Sequence, residues 1–204
     1  MVSQAPACEQ KVCVECGMCC DGTLFLHAVL KPGERGTLPE KIEERSYTEE
    51  GKDYFRLPCL YFDGRCTIYD RQRADVCGSY RCQLLKDMTD NKVSQKEALD
   101  IVAEATSSRT RLLKEYSGIT KEDVDITFRQ LHSRLEILIR DKEAGSEAEK
   151  RGELLQARCN ILEALLIKYF RSAADFDKMM AGRGKDESIQ AKGQSKRHRK
   201  KNST

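Results

Sequence analysis

Cys13-Val14-Glu15-Cys16-Gly17-Met18-Cys19-Cys20 is the stretch that decides how this chain is read. A second group follows as Cys59, Cys66, Cys77 and Cys82, so eight of the ten cysteines fall into two tight sets. Two residues between cysteines let a tight turn aim both sulfurs at one centre, which is why such pairs recur in zinc and iron–sulfur sites. Gly17 stands where a turn of this kind needs positive φ. Adjacent cysteines point apart, so Cys19 and Cys20 are expected to serve two neighbouring centres or two roles around one polynuclear cluster.

Disulfides are the competing use of cysteine, and they persist in oxidising compartments. The first residues, Met1 to Cys13, show no apolar export region. No stretch approaches the roughly 18 apolar residues of a membrane span. A cytoplasmic protein with reduced thiols is therefore expected, with Cys13, Cys16, Cys19, Cys20, Cys59, Cys66, Cys77 and Cys82 as metal ligands. Thiolates suit Zn²⁺ and iron, including an iron–sulfur cluster. The spacing leaves open one shared cluster or two four-thiolate sites. Cys8 reads as a spare thiol, and Cys159 sits on an apolar helical stripe as a small hydrophobe. His27 reads as structural or exposed rather than as a ligand.

Outward from the cysteines, the chain divides by pattern. Residues 1–11 read as a flexible lead-in, 12–93 as the cysteine-rich metal-binding part, 94–181 as helical, and 182–204 as a disordered polybasic tail. In the second part, 23–30 reads as a short strand. Residues 53–62 and 65–69 read as strands flanking the Asp63-Gly64 turn, with Cys59 and Cys66 on the hairpin arms. A segment this small buries only a marginal core, and a structural zinc contributes about 10–16 kcal/mol in finger peptides. Four thiolates on one Zn²⁺ leave a charge of about −2. Arg65, Arg71, Arg73 and Arg81 are the nearby candidates to offset it or to donate hydrogen bonds.

In the helical part, Ser94 and Glu97 form a capping box. The first stripe is Ala98, Ile101, Val102, Ala105, Leu112, Leu113 and Tyr116. Gly118 reads as its stop and Thr120 as the next start. Val124, Phe128, Leu131, Leu135, Leu138 and Ile139 form a second stripe. Gly145-Ser146 breaks it, and Leu155, Cys159, Leu162, Leu166 and Tyr169 form a third. The fold class expected is α+β, mainly α: a cysteine-rich segment with short strands or a hairpin, then a two- to three-helix antiparallel bundle. That bundle is also the expected surface for a protein partner.

The formal charge of +3 is uneven. The tail alone carries a net +6, leaving −3 for the other 181 residues. Residues 1–93 hold 13 Lys/Arg against 15 Asp/Glu, which argues against a DNA-reading finger. Contact with nucleic acid or an anionic surface is left to the tail. The phosphate-binding, dinucleotide, nucleophile-elbow and H-E-x-x-H motifs are missing from the sequence, which removes the usual signatures of nucleotide-dependent and hydrolytic enzymes.

The cysteine pattern resembles the CxxCxxCC, or YkgJ-type, cysteine-cluster family of zinc- or iron-chelating domains. The first block matches in Cys13, Cys16, Cys19, Cys20 and Gly17. The second matches in Pro58-Cys59, Cys66-Thr67-Ile68-Tyr69 and Cys77-Gly78-Ser79-Tyr80-Arg81-Cys82. The chain departs from the pattern at Ala74, where a proline is usual, at Gly78, where an arginine is usual, and in one extra residue between Tyr69 and Cys77. The resemblance implies a bacterial metal-chelating protein of unassigned role. A related cysteine block occurs in flagellin lysine methylases, which implies, as the alternative, an iron–sulfur redox or group-transfer enzyme. Nothing in the helical part reads as a methyl-donor site, so a chelator rather than an enzyme is expected.

Overall fold

The computed structural model describes residues 6–121, 126–140 and 146–171. The first element, α1 (Ala7–Cys16), already contains five residues read above as a loose lead-in. Val12 explains the difference: it is 2% exposed and anchors the helix in the main core. Cys8 lies on the exposed side of α1. Short strands follow as β1 (His27–Val29), β2 (Ser46–Glu49) and β3 (Lys52–Arg56), with the four-residue α2 (Glu40–Glu43) ahead of β2. They form one antiparallel sheet in the order β1-β3-β2.

The Asp63-Gly64 turn is present, but its arms are only β4 (Phe62–Asp63) and β5 (Arg65–Cys66). The expected strand over 53–62 stops at Arg56, two residues before Pro58, whose nitrogen carries no N–H to donate to a ladder. Cys59 therefore sits before the hairpin rather than on its arm, and residues 67–69 turn away instead of extending β5. Two short helices complete this part, α3 (Asp75–Ser79) and α4 (Gln83–Thr89).

α5 (Gln95–Thr120) starts at the expected capping box. The Glu97 amide donates to Ser94 Oγ (3.2 Å), and the Ser94 amide donates to Glu97 Oε2 (2.8 Å). Gly118 does not end the helix. One interior glycine costs only about 1 kcal/mol, and the helix runs on until Lys121 takes a φ of 60° and donates to the Ser117 carbonyl. Thr120 is thus the last residue of α5, not the start of the next helix.

α6 (Phe128–Arg140) is instead preceded by a reciprocal pair in which the Gln130 amide donates to Thr127 Oγ1 and the Thr127 amide to Gln130 Oε1. α7 (Glu147–Leu166) is capped by Ser146. The expected positions Val124 and Gly145, and the basic tail, lie outside the described residues.

α7 runs antiparallel to α6 and pairs with α5 as well. Arg129 meets Glu163 while Ile139 approaches Gly152, and Arg158 pairs with Glu115 of α5. The α7 stripe is buried at Leu155, Cys159, Leu162 and Leu166. It then continues at Phe170 (1% exposed) rather than Tyr169, because a π-helical turn over Ile167–Arg171 rotates the face.

The division at residue 93 runs through a shared core. Val12, Met18, Leu24, Leu84 and Leu85 pack with the buried faces of α5, α6 and α7. A smaller second core, with Leu30, Ile42, Phe55 and Ile68, lies under the sheet. The fold is mainly helical with one small sheet, and among the described residues no helix is long and apolar enough to cross a membrane.

Gly118 gives a direct check on the α5 boundary. A Cβ there meets nothing within 4 Å. Gly118→Ala is expected to stabilise the protein by about 0.5–1 kcal/mol in urea unfolding, the ordinary gain for a helix interior. A destabilised variant would place Gly118 outside the helix.

Candidate metal centre

Cys13 and Cys16 lie three residues apart on α1, so a helix rather than a tight loop puts them on one face. Gly17 then reverses the chain with φ of 60°, the left-handed conformation expected from the sequence. Its carbonyl accepts from the amides of Cys20 (2.8 Å) and Asp21 (3.0 Å). Met18, fully buried, pins the turn to the core and leaves Cys19 and Cys20 half-buried above it. The Cys59 amide donates to the Cys20 carbonyl (2.7 Å), joining the two cysteine groups through their backbones. Cys66 is set by its pairing with Phe62 across the hairpin, and Cys77 by the first turn of α3. Cys82 occupies the N-cap position of α4.

These eight thiols line two adjoining cavities. The smaller, about 40 Å³, is lined by Cys13, Cys16, Cys19, Cys20 and Cys82. The larger, about 260 Å³, is lined by Cys13, Cys19, Cys20, Cys59, Cys66 and Cys77. Cys13, Cys19 and Cys20 line both. Packing sorts six of the eight: Cys16, Cys19 and Cys82 lie against the main core, and Cys59, Cys66 and Cys77 against the smaller one. Sequence order had grouped Cys82 with the second set. The fold carries it back to the first, and turns Cys20 toward the second.

Electrostatics agrees with that sorting. Burial pushes the Cys16 thiol up to about 12, and Cys82 and Cys13 are its thiol neighbours. Cys19 is raised well above the ordinary range, first by burial and then by Cys16, Cys13, Cys20 and Cys82. Cys20 is raised by burial and then by Cys77, Cys66, Cys13 and Cys59. Cys77 rises to about 12 through burial, with Cys59 next. Cys13 is exposed as a residue, yet desolvation still lifts its thiol, and both Cys82 and Cys66 act on it. Opposing these shifts, backbone amides of Met18, Tyr61, Leu84 and Leu85 donate toward Cys16, Cys59 and Cys82. Such donors favour the thiolate.

All ten cysteines are free thiols. Among the described residues, no group of three or more His, Cys, Asp or Glu side chains is arranged to hold a metal ion as it stands. By its chemistry the donor set is one a thiophilic metal would suit: eight thiols lining the two cavities, amide donors at three of them, and cations nearby. Cys159 is fully buried in the bundle, away from both cavities, and His27 is exposed against the Tyr54 ring.

Of the four expected arginines, only Arg73 acts on the thiols, as a positive neighbour of Cys13 and Cys77. Arg81 instead binds buried Glu9 and Thr89, tying α4 to α1. Arg65 and Arg71 are exposed. Two cations were missed because they are remote in sequence. Arg45 acts on Cys59 and donates to the Pro58 carbonyl (3.0 Å). Arg109, from the middle of α5, acts on Cys16 and forms an ion pair with Asp21 in the cysteine turn. No local signal marks Arg109 except an arginine among the smaller and apolar residues of α5.

No family model, curated protein or solved structure matches the chain.

Two consequences follow from the turn. Gly17→Ala places a Cβ against the Phe62 ring in a left-handed conformation. It is expected to cost at least about 2 kcal/mol, from the αL penalty and overpacking together; wild-type stability in urea would remove the turn from the argument. Arg109 and Asp21 are 21% and 14% exposed in their side chains. Arg109→Met alone should cost about 3 kcal/mol by stranding Asp21. The double variant with Asp21→Asn should cost less than the two single losses combined, and strict additivity would show that the pair does not couple.

Proposed function

We propose that this chain is a zinc- or iron-chelating cysteine-cluster protein with two four-thiolate centres. The inner centre is Cys13, Cys16, Cys19 and Cys82; the outer is Cys20, Cys59, Cys66 and Cys77. The observation that carries this reading is the sorting of the thiols between two adjoining cavities and two cores. Cys13, Cys19 and Cys20 line both cavities; Cys13 joins the inner set by its position on α1 beside Cys16, Cys19 by its packing on the main core, and Cys20 joins the outer set by its thiol neighbours Cys77, Cys66 and Cys59. The resemblance to the CxxCxxCC family points the same way.

Four thiolates close a tetrahedral site and leave no open position, so each centre holds or relays its metal rather than binding substrate on it. A reducing compartment, the cytoplasm, keeps the ligands available. Metal binding would lock α1, the hairpin, α3 and the start of α4 to one another, and that free energy would count as folding free energy.

The test is metal and acid-labile sulfide content, with an absorption spectrum, on full-length protein purified without oxygen. About two metal equivalents per chain are expected. Cys82→Ser should remove about one equivalent and Cys59→Ser the other, while Cys159→Ser leaves the content unchanged. Simultaneous loss of all metal from either single variant, with stoichiometric sulfide and a broad visible band, would replace two centres by one iron–sulfur cluster. A chain without metal would end the chelation reading.

A further inference from the structure

The larger cavity extends well beyond the sulfurs. Away from them its wall is apolar, built by Ala28 and Val29 of β1, Ile42 of α2, Phe55 of β3, and Leu57. Phe25, Tyr69 and Tyr80 add aromatic faces. A metal ion contacts only its ligand atoms, so it makes no use of that end. A cavity of about 150 Å³ accommodates benzene, and this one, at about 260 Å³, has room for a ring with a short side chain.

Two basic side chains line the cavity, Arg73 and the exposed His27. Arg73 is the only Lys or Arg among the lining residues, and no Asp or Glu lines the cavity. Its guanidinium lies over the Tyr69 ring, 4.2 Å from the centroid, which holds it in place. The other two arginines near the thiols are committed elsewhere, Arg109 to Asp21 and Arg45 to the Pro58 carbonyl. Arg73 has no carboxylate partner among the described residues, and its positive charge reaches Cys13 and Cys77, so it stands at the thiol end. Guanidinium is the side chain suited to a carboxylate. A pocket with one apolar aromatic end and one cationic end is the ordinary design of a small-molecule site.

We infer that this cavity binds a small aromatic acid carrying a single anionic group, its ring toward Phe55 and Ile42 and its carboxylate on Arg73. One guanidinium balances one negative charge; a second would face the thiols unpaired. The inference stands on the apolar end and Arg73 and does not require the chelation reading.

The probe is indole-3-acetate, with neutral indole-3-ethanol as its control. The chain has no Trp, so indole fluorescence anisotropy reads the probe without a protein background. The full chain is used as purified, and metal content is measured on the same samples. Saturable one-to-one binding of indole-3-acetate is expected. Arg73→Gln should weaken indole-3-acetate about tenfold or more, the ordinary scale for losing a charged hydrogen bond, and leave indole-3-ethanol unchanged.

Ala28→Leu should abolish binding of both probes with metal content unaltered. Val29→Phe, at a 51% exposed rim position that tolerates change, should do so if Ala28→Leu fails to fold. Absence of saturable binding to the wild type would overturn the proposal. So would equal weakening of both probes by Arg73→Gln, or unchanged binding in a folded cavity-filling variant. Wild-type protein that binds indole-3-acetate but holds no metal would sink the chelation reading alone.

Discussion

One backbone hydrogen bond, from the Cys59 amide to the Cys20 carbonyl, joins the two halves of the cysteine region. It depends on Gly17, whose left-handed φ sends the chain back over the end of α1. The turn also buries Met18 and brings the Cys20 carbonyl to the strand side. From that bond onward the hairpin, α3 and α4 are laid around the α1 end, and each delivers a thiol. The bond itself contributes only about 1 kcal/mol net. Its importance is geometric, since it sets the register between residues 39 positions apart in the chain.

The helical stripes were legible in the sequence because packing against a common core imposes a helical period, and α5, α6 and α7 bury most of those positions, leaving Ile101, Leu113, Leu138 and Ile139 half-buried. What period cannot show is where a helix gives way to another geometry. The π-helical turn after Leu166 moved burial from Tyr169 to Phe170. Gly118 carried no stop because Lys121 could take the left-handed cap one turn later. The Asp63-Gly64 turn was legible, but the length of its arms was not, since that depends on where the Leu57-Pro58 segment leaves the sheet.

The cysteines themselves were plain, and their partition was not. Spacing groups residues by sequence distance, whereas the fold groups them by the core beneath them. Cys82 begins a helix packed on α1 through Leu84 and Leu85, so it belongs with Cys16 and Cys19. Cys20 faces Cys59, Cys66 and Cys77 because neighbouring side chains on a tight turn diverge. The same reason hid the cations. Arg81, adjacent to a cysteine, turns to Glu9, while Arg109, 93 positions from Cys16, acts on that thiol.

Arg109 also bears on why the helical part exists at all. A proposed four-thiolate centre carries about −2 and sits in surroundings poor in water, where uncompensated charge is costly. The proposed inner centre has amide donors from Met18, Leu84 and Leu85, and its positive neighbours are Arg109 of α5, Lys86 of α4 and Arg73. The Arg109 guanidinium is held in place on both sides. Asp21 and Thr23 of the turn hold one side, and the packing of α5 against α1 and α7 holds the other. The bundle therefore does more than supply apolar packing: it fixes a positive charge beside the cysteine turn. Cutting the chain between the two parts would remove Arg109 along with the apolar floor under Val12, Met18 and Leu24. The cysteine-rich segment is half of a shared core, and Cys16 and Cys19 rest on helices that begin more than 70 residues later in the chain.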